Sequence, residues 1–171
     1  MLRSQFLRLM LAAATLPMGA AFFGRVARAQ GGVGDIAGRI VRLKGAAMAM
    51  QDAQPRGLKE GDAVFRGDVI STGRGARLEM KMLDDAVMTL GEKTVFVVID
   101  YVTGGAAPNA ATRLIEGAFA ASAGSIAKSP GGTMRVETDV ATIGIRGTTV
   151  WGGMIDGDFQ VALLTPGRVV V

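Results

Sequence analysis

The chain has 171 residues, and none of them is cysteine or histidine. The absence of cysteine excludes disulfides and lipid attachment through cysteine. The absence of histidine removes the commonest general base and metal ligand, so no metal or other cofactor is expected. The formal net charge is +4, but the four charged residues among the first thirty are all arginines, which leaves fifteen basic residues against fifteen acidic ones. The remainder is neutral, which argues against a nucleic-acid-binding protein.

Residues 1–29 have the three parts of a cleavable secretory signal peptide in the expected order. Arg3 and Arg8 supply the positive start, residues 9–23 carry no charge, and Ala27-Arg28-Ala29 places small residues where signal peptidase cuts. The apolar run is too short to cross the hydrocarbon core of a membrane. We therefore expect cleavage near Ala29, no retained membrane span, and a final location in the periplasm or at the cell surface, with the export route left open.

The chain beyond the signal peptide predicts one all-β domain, an antiparallel β-sandwich or a jelly-roll-like fold, at residues 38–171, after a flexible tail at residues 30–37. About 140 residues are enough for one hydrophobic core. Short apolar or alternating runs are separated by turn signals at intervals of about ten residues, and no long helical periodicity is present. This pattern is typical of sandwiches and barrels.

The first half of the domain gives the clearest strand signals. Residues 39–43 predict the first strand, and residues 61–68 place a short apolar step between two Gly-Asp pairs. Residues 76–82 alternate apolar and charged side chains, which predicts a strand with one wet face. Residues 86–90 return as the second arm of a hairpin. Residues 95–99 form a continuous apolar run, which predicts a strand buried on both faces.

The second half is less uniform. Residues 113–120 are ambiguous, because their alanines suit a helix while Gly117 favours a strand with a bend. Residues 134–137 and 141–151 predict further strands, and Asp156-Gly157 is the dipeptide that a two-residue hairpin turn prefers. The sequence ends at Val169-Val170-Val171 within an apparent strand, so the pattern leaves open whether the domain continues beyond this point.

Two groups of residues resemble the motifs of the FecR domain family. The family pairs a GDxIxTG segment and a tight hairpin with a later T-x-x-A-x-x-G-x-R-G-T signature, and both occur here in order. The matching residues are Gly61-Asp62, Gly67-Asp68, Ile70-Ser71-Thr72-Gly73, Ala76-Arg77-Leu78, Asp84-Asp85, Leu90-Gly91, Thr138, Ala141 and Ile143-Gly144-Ile145-Arg146-Gly147-Thr148. The resemblance extends from about Gly38 to the end of the chain.

The resemblance implies a β-rich domain of the cell envelope, best known as the periplasmic part of regulators that pass a signal from an outer-membrane receptor to a sigma factor. This sequence lacks the cytoplasmic anti-sigma segment of those regulators, and Asp85 stands where the family often has glycine. The resemblance therefore supports the fold more firmly than the pathway. It carries over these motif and candidate binding residues: Gly61, Asp62, Gly67, Asp68, Thr72, Gly73, Gly144, Arg146, Gly147 and Thr148.

Arg146 is the first candidate for a function, because it is the one charge between Val140 and Trp151. One interpretation is structural: a buried guanidinium pins a turn by bonding carbonyl groups or an aspartate such as Asp62 or Asp68. The other is functional: neighbouring glycines bring its planar fork to the surface, where it holds a carboxylate of a peptide, a glycan or a partner protein.

Other sites are weaker. Trp151 and Tyr101 are candidates for stacking on a sugar ring, although aromatic side chains in a β-rich core more often pack. The carboxylates of residues 60–62 and 156–158 lie on turns without the spacing of a calcium loop, so hairpin chemistry is the better interpretation. Hydroxyl groups have no histidine base, which argues against an enzyme.

Two functions are compatible with these observations. The first is a non-enzymatic module that senses, scaffolds or binds an envelope protein, accessory to signal transduction, through an open sheet edge that accepts a strand. The alternative is a module that binds cell-wall glycan, either peptidoglycan or another polysaccharide. Arg77, Glu79 and Lys81 give one strand a charged face, which slightly favours protein contacts.

Overall fold

The computed structural model describes residues 35–171, so the predicted signal peptide and most of the predicted tail lie outside the described residues. Within this range there are fifteen strands and one short 3-10 helix, Ile126–Lys128. The strands are β1 (Ile36–Lys44), β2 (Ala47–Gln51), β3 (Gln54–Gly57), β4 (Ala63–Phe65), β5 (Val69–Thr72), β6 (Arg77–Met82), β7 (Val87–Leu90), β8 (Val95–Val102), β9 (Asn109–Glu116), β10 (Ala118–Ser122), β11 (Thr133–Glu137), β12 (Thr142–Arg146), β13 (Thr149–Ile155), β14 (Asp158–Leu163) and β15 (Arg168–Val170).

The strands form two sheets that pack on each other as an all-β sandwich, which confirms the predicted fold class. One sheet has seven strands in the order β14-β13-β10-β7-β6-β1-β4, and the other has eight in the order β15-β12-β11-β9-β8-β5-β2-β3. All neighbouring strands are antiparallel except β9 and β11, which are parallel. A single cluster of buried apolar side chains from both sheets fills the space between them.

The alternation in residues 76–82 has the predicted structural result. Leu78, Met80 and Met82 are buried, whereas the charged residues between them lie on the outer face. In the register of β6 and β7, Leu78 lies opposite Leu90 and Met80 lies opposite Met88. The two arms of this hairpin therefore turn their apolar faces to the same core.

Two glycines mark corners at which the chain passes from one sheet to the other. Gly117, with φ +90°, joins β9 of the eight-stranded sheet to β10 of the seven-stranded sheet, and Gly147, with φ +65°, joins β12 to β13. A Cβ atom at Gly117 would lie 2.3 Å from Thr94 Oγ1, so no other residue fits there without movement. The ambiguous segment is thus two strands with a bend, and residues 141–151 form two strands in different sheets.

The prediction that residues 95–99 are buried on both faces is wrong. Phe96 and Val98 are fully buried, but Val95 and Val97 are half-buried and Ile99 is exposed. The reason is that β8 belongs to a two-layer sandwich, in which only one face of each sheet meets the core. The first strand, in turn, begins at Ile36, two residues before the predicted start of the domain.

Candidate functional site

Asp68, from the GDxIxTG segment, is fully buried, and its carboxylate joins β3 to β4. Both of its oxygens accept hydrogen bonds from the Arg56 guanidinium, and Oδ2 also accepts one from the Phe65 amide at 2.8 Å. Arg56 further donates to the Ala63 carbonyl and lies 5.1 Å from the centre of the Phe65 ring. The Asp68 carboxylate therefore supports the edge of the sandwich and is not available to a ligand.

The other polar residues of the first motif also serve the fold. Thr72 is buried, donates to the Gly91 carbonyl at 2.6 Å and accepts from the Thr94 amide at 2.9 Å. Asp62 accepts from the Lys59 amide at 3.0 Å, which closes a turn. The three glycines of the motif, Gly61, Gly67 and Gly73, lie in or beside turns. Gly61 and Gly67 both have a positive φ, +87°.

The second motif divides into structural residues and one exposed residue. Thr138 donates to the Ala141 carbonyl at 3.0 Å, and buried Thr148 donates to the Thr165 carbonyl at 2.7 Å. Gly144 lies on the outer face of β12, and Gly147 makes the corner described above. The Arg146 side chain, by contrast, is exposed, and its guanidinium has no hydrogen bond or ion pair to any residue in the range 35–171.

The structural interpretation of Arg146 is therefore wrong. Its proposed partner Asp68 is bonded to Arg56, and Asp62 closes its own turn. Arg56 had no sequence signal, because it lies outside both motifs and its partner is twelve residues away. The alternation of β12 explains the exposure of Arg146, since buried Ile143 and Ile145 place it on the opposite face.

Arg146 lines a surface cavity of about 460 Å³ on the outer face of β11, β12 and β15. Arg135 and Arg168 line the same cavity, and none of its lining residues is acidic. Arg135 also donates to Asn109 Oδ1 at 2.8 Å and to Glu137 at 3.3 Å. Hydrogen bonds from Arg113 and then from Arg135 hold the pKa of Glu137 below its usual range.

Tyr101 belongs to the core and not to an exposed stacking surface. Only 5% of it is exposed, and its hydroxyl donates to Asp84 Oδ1. Asp84, itself buried, also accepts from the amides of Ala86 at 3.1 Å and Ile126 at 3.2 Å. This carboxylate joins the β6–β7 hairpin, β8 and the 3-10 helix, and sequence reasoning missed it because it interpreted Asp84-Asp85 only as a turn.

Tyr101 is expected to remain un-ionised at high pH as long as the protein is folded. Burial, and then the hydrogen bond to Asp84, raise the pKa of its hydroxyl well above the ordinary value of 10.0. The raised pKa adds stability that is fully present below pH 10 and is lost as the pH rises through the folded-state pKa. Because Tyr101 is the one tyrosine in the chain, tyrosinate absorbance measures this group alone. A reversible titration near pH 10 in the folded protein would contradict the expectation.

Trp151 lies half-buried on the outer face of β13, in the seven-stranded sheet. Its cross-strand neighbours are Ala120 on β10 and Ala162 on β14, so small side chains flank the indole on both sides. Trp151 lines a second cavity of about 460 Å³, together with Arg77 and Glu92. An indole beside small and charged side chains can stack on a flat ligand.

The largest of these cavities, about 690 Å³, is an apolar cleft at the turn of the β13–β14 hairpin. Ile115, Val140 and Met154 are 50%, 74% and 55% exposed there. Three acidic residues also line the cleft, and none of them forms an ion pair within residues 35–171: Glu116, Asp139 and Asp158. We refer to the cleft formed by these three apolar and three acidic residues as the acidic cleft.

The hairpin interpretation of Asp156-Gly157 is confirmed. Asp156 has φ 52° and Gly157 has φ 93°, as a two-residue type I′ turn requires, and Ile155 lies opposite Asp158. At the other turn, Glu60 accepts from the Leu43 amide at 3.1 Å. The Glu60 and Asp62 carboxylates therefore stabilise the chain around this turn. In the part of the chain that the structure describes, no three acidic side chains converge as a metal site would require.

The fold and the contacts of its motif residues define a β-sandwich domain with several open cavities on rigid strands. A family profile described as FecR protein matches residues 68–169, which is more than half of the chain, and the chain therefore belongs to the FecR family. FecR domains are known from signalling-related proteins of the cell envelope, and the family is regulatory rather than enzymatic. The profile begins later than the predicted start at Gly38.

No curated protein and no solved structure gave a significant match to the chain. Within residues 35–171, the structure contains no helix with the length and apolar character needed to cross a membrane.

Proposed function

We propose that this protein is a non-enzymatic interaction module of the cell envelope that binds a segment of another envelope protein, as an accessory to signal transduction. On this proposal the signal peptide directs export, is removed near Ala29, and leaves the domain in the periplasm or at the cell surface. Membership of the FecR family supports the envelope and signalling setting. The observation that carries the binding mode is the unprotected edge of β14.

The four edge strands of the two sheets differ in their capacity to accept another strand. β4 and β15 have only three residues each, and β3 contains Pro55, which cannot donate a hydrogen bond. β14 has six residues, Asp158–Leu163, with neither proline nor lysine. Proteins usually protect long edges with these residues, so an unprotected one is a template for strand addition.

The register of the β13–β14 hairpin shows which groups of β14 face outward. In an antiparallel pair, hydrogen-bonded and non-hydrogen-bonded positions alternate. The Leu164 amide donates to the Thr149 carbonyl at 2.7 Å, so the neighbouring Leu163 amide points away from β13, toward the open edge. Leu163 is also 52% exposed. A partner strand would pair with this amide and its alternate neighbours.

The acidic cleft supplies the chemistry that would select the partner. It lies at the hairpin end of β14, since Asp158 and Phe159 line it. A strand added along β14 would thus reach the acidic cleft at one end, where its side chains would meet apolar residues surrounded by carboxylates. Exposed apolar patches of this kind mark binding sites, and the charge favours a partner segment that alternates apolar side chains with lysine or arginine.

Photo-crosslinking in intact cells tests this proposal. A photoreactive residue at Met154, in the acidic cleft, is expected to give one discrete adduct with another protein. The same residue at Leu83, which is 57% exposed on the β6–β7 hairpin, is the matched control and is expected to give none. Absence of a discrete adduct at Met154, or the same products at both positions, would argue against the acidic cleft.

A second substitution tests strand addition itself. Leu163→Pro removes the outward amide without breaking the ladder to β13, so the Met154 adduct is expected to fall by about tenfold or more. Leu163→Ala keeps the amide and truncates the side chain, and it is expected to retain most of the adduct. Equal loss in both variants would mean that the side chain, and not the strand edge, binds the partner.

The position of Trp151 favours glycan binding as a second candidate function, because its indole borders an open cavity. Co-sedimentation of the protein with purified peptidoglycan, abolished by Trp151→Ala in a folded variant, would support it. The absence of any discrete adduct at Met154 in the same cells would then make peptidoglycan the primary ligand.

A further inference from the structure

Arg146 and Arg168 form a pair of like charges directly opposite each other. They are register partners on the antiparallel strands β12 and β15, and both side chains line the same cavity. Directly opposite residues have Cβ atoms about 4.5–5.5 Å apart, and like charges at this spacing destabilise a sheet. A stable domain gains nothing from such a pair by itself.

No carboxylate of the chain compensates this pair. Within residues 35–171 neither guanidinium lies within 4.0 Å of an acidic oxygen, although five other arginines do: Arg42, Arg56, Arg66, Arg113 and Arg135. Residues 1–34 contain no aspartate or glutamate. The two forks are therefore left available to a negative group from outside the chain.

The cavity between them has the features of a binding site for such a group. Gly144 forms part of its wall, and a Cβ atom there would have nothing closer than 3.7 Å, so the space is open. Arg135 adds a third guanidinium, held in place by Asn109. The hydroxyl group of Thr142 lies along the same wall and can donate a further hydrogen bond, whereas the Thr133 hydroxyl already donates to Asn109 Oδ1 at 2.9 Å.

We propose that the cavity lined by Arg135, Arg146 and Arg168 binds an oxyanion, a carboxylate or phosphate group, with Arg146 and Arg168 as the principal ligands. Planar guanidinium forks bind such groups through paired, charge-assisted hydrogen bonds. Bound oxyanion would also remove the repulsion within the pair. This site is separate from β14 and the acidic cleft, so it does not rest on the proposed function.

Calorimetric titration of the purified protein at physiological ionic strength tests the site with two probes, inorganic phosphate and an acetylated hexaglutamate peptide. At least one is expected to bind the wild type, and Arg146→Gln/Arg168→Gln is expected to weaken its affinity by about tenfold or more. The phosphate arm measures a free small anion, and the peptide arm measures carboxylates carried on a chain. Absence of binding by both, or equal binding by the double variant, would overturn the proposal.

The matched control is Lys44→Gln/Arg77→Gln. Lys44 and Arg77 are likewise exposed register partners of like charge, on β1 and β6, and their removal changes the net charge equally. The cavity beside Arg77, however, contains Glu92. This variant is expected to bind the probes as the wild type does. An equal loss of affinity would show that only overall charge attracts the anion.

Arg168→Glu separates a binding role from a structural one. It places opposite charges across β12 and β15, so without anion the melting temperature is expected to rise by about 1–4 °C, while probe binding is lost. A gain in stability together with a loss of binding is the signature of a pair retained for a ligand. A lower melting temperature would show that the fold already compensates Arg168, which would contradict the inference.

Discussion

Replacing Arg56 with alanine is expected to lower the free energy of unfolding by about 3–5 kcal/mol, because it leaves a buried carboxylate without its partner. Asp68 is fully buried, and both of its oxygens accept from Arg56. The substitution also removes the packing of the guanidinium on the Phe65 ring. Urea denaturation followed by the fluorescence of Trp151, the one tryptophan, measures the change.

Arg66→Ala is the matched control for this experiment. Arg66 pairs with Asp35 at 3.1 Å and with Asp100 at 3.5 Å, but its side chain is 47% exposed. Water can replace these contacts, so a loss below about 1 kcal/mol is expected. Arg56→Lys should fall between the two, since it keeps the charge and loses the bidentate fork. If Arg56→Ala cost no more than Arg66→Ala, the buried pair would not stabilise this edge of the sandwich.

The second large effect is expected at Asp84. Asp84→Asn should lower the free energy of unfolding by about 3 kcal/mol, because an amide group cannot accept hydrogen bonds on both sides of the side chain. At least one of three buried donors, the Tyr101 hydroxyl and the amides of Ala86 and Ile126, would be left unpaired. The neighbouring Gly124 leaves no room to relax, since a Cβ atom there would already lie 2.3 Å from Asp84 Oδ2.

Asp85→Asn provides the comparison for Asp84→Asn with the same chemical change one residue away. Asp85 is exposed, has φ 66°, and contacts Lys81 in a surface ion pair at 2.7 Å. Asparagine tolerates this backbone conformation and water can replace the ion pair, so the expected loss is much smaller than that for Asp84→Asn. Similar losses in the two variants would show that the buried network is not the source of stability. Tyr101→Phe removes one of the three donors to Asp84. Asp84→Asn is therefore expected to cost less free energy of unfolding in a Tyr101→Phe background than in the wild type.

Sequence reasoning was accurate where the determinants are local. The alternation of residues 76–82 predicted which side chains of β6 face the core, and Asp156-Gly157 predicted the turn of the β13–β14 hairpin. Both depend on side-chain direction and turn chemistry over a few residues. The FecR motifs predicted the family because they preserve the turns and corners on which the sandwich depends.

It was inaccurate where partners are distant in sequence. The sequence predicted Arg146 as a partner of Asp68, because nothing in the motif identifies Arg56. The hydrogen-bond partners of Asp84 were also missed, since one of them, Ile126, is 42 residues away. The opposition of Arg146 and Arg168 depends on the register of β12 and β15, which neither strand specifies alone. Candidate sites of this kind become visible only when the pairing of strands is known.

The corners at Gly117 and Gly147 belong to a wider pattern of alternation between the two sheets. Between β1 and β15 the chain passes from one sheet to the other nine times, counted over the described strands. No continuous fragment of the chain therefore contains one complete sheet without strands of the other sheet. A truncation anywhere between Ile36 and Val170 removes strands from one layer or from both, so neither sheet can be isolated as a shorter protein. The cavity beside Arg146 and the cavity beside Trp151 lie on different sheets, and neither can consequently be obtained in a fragment that lacks the other sheet.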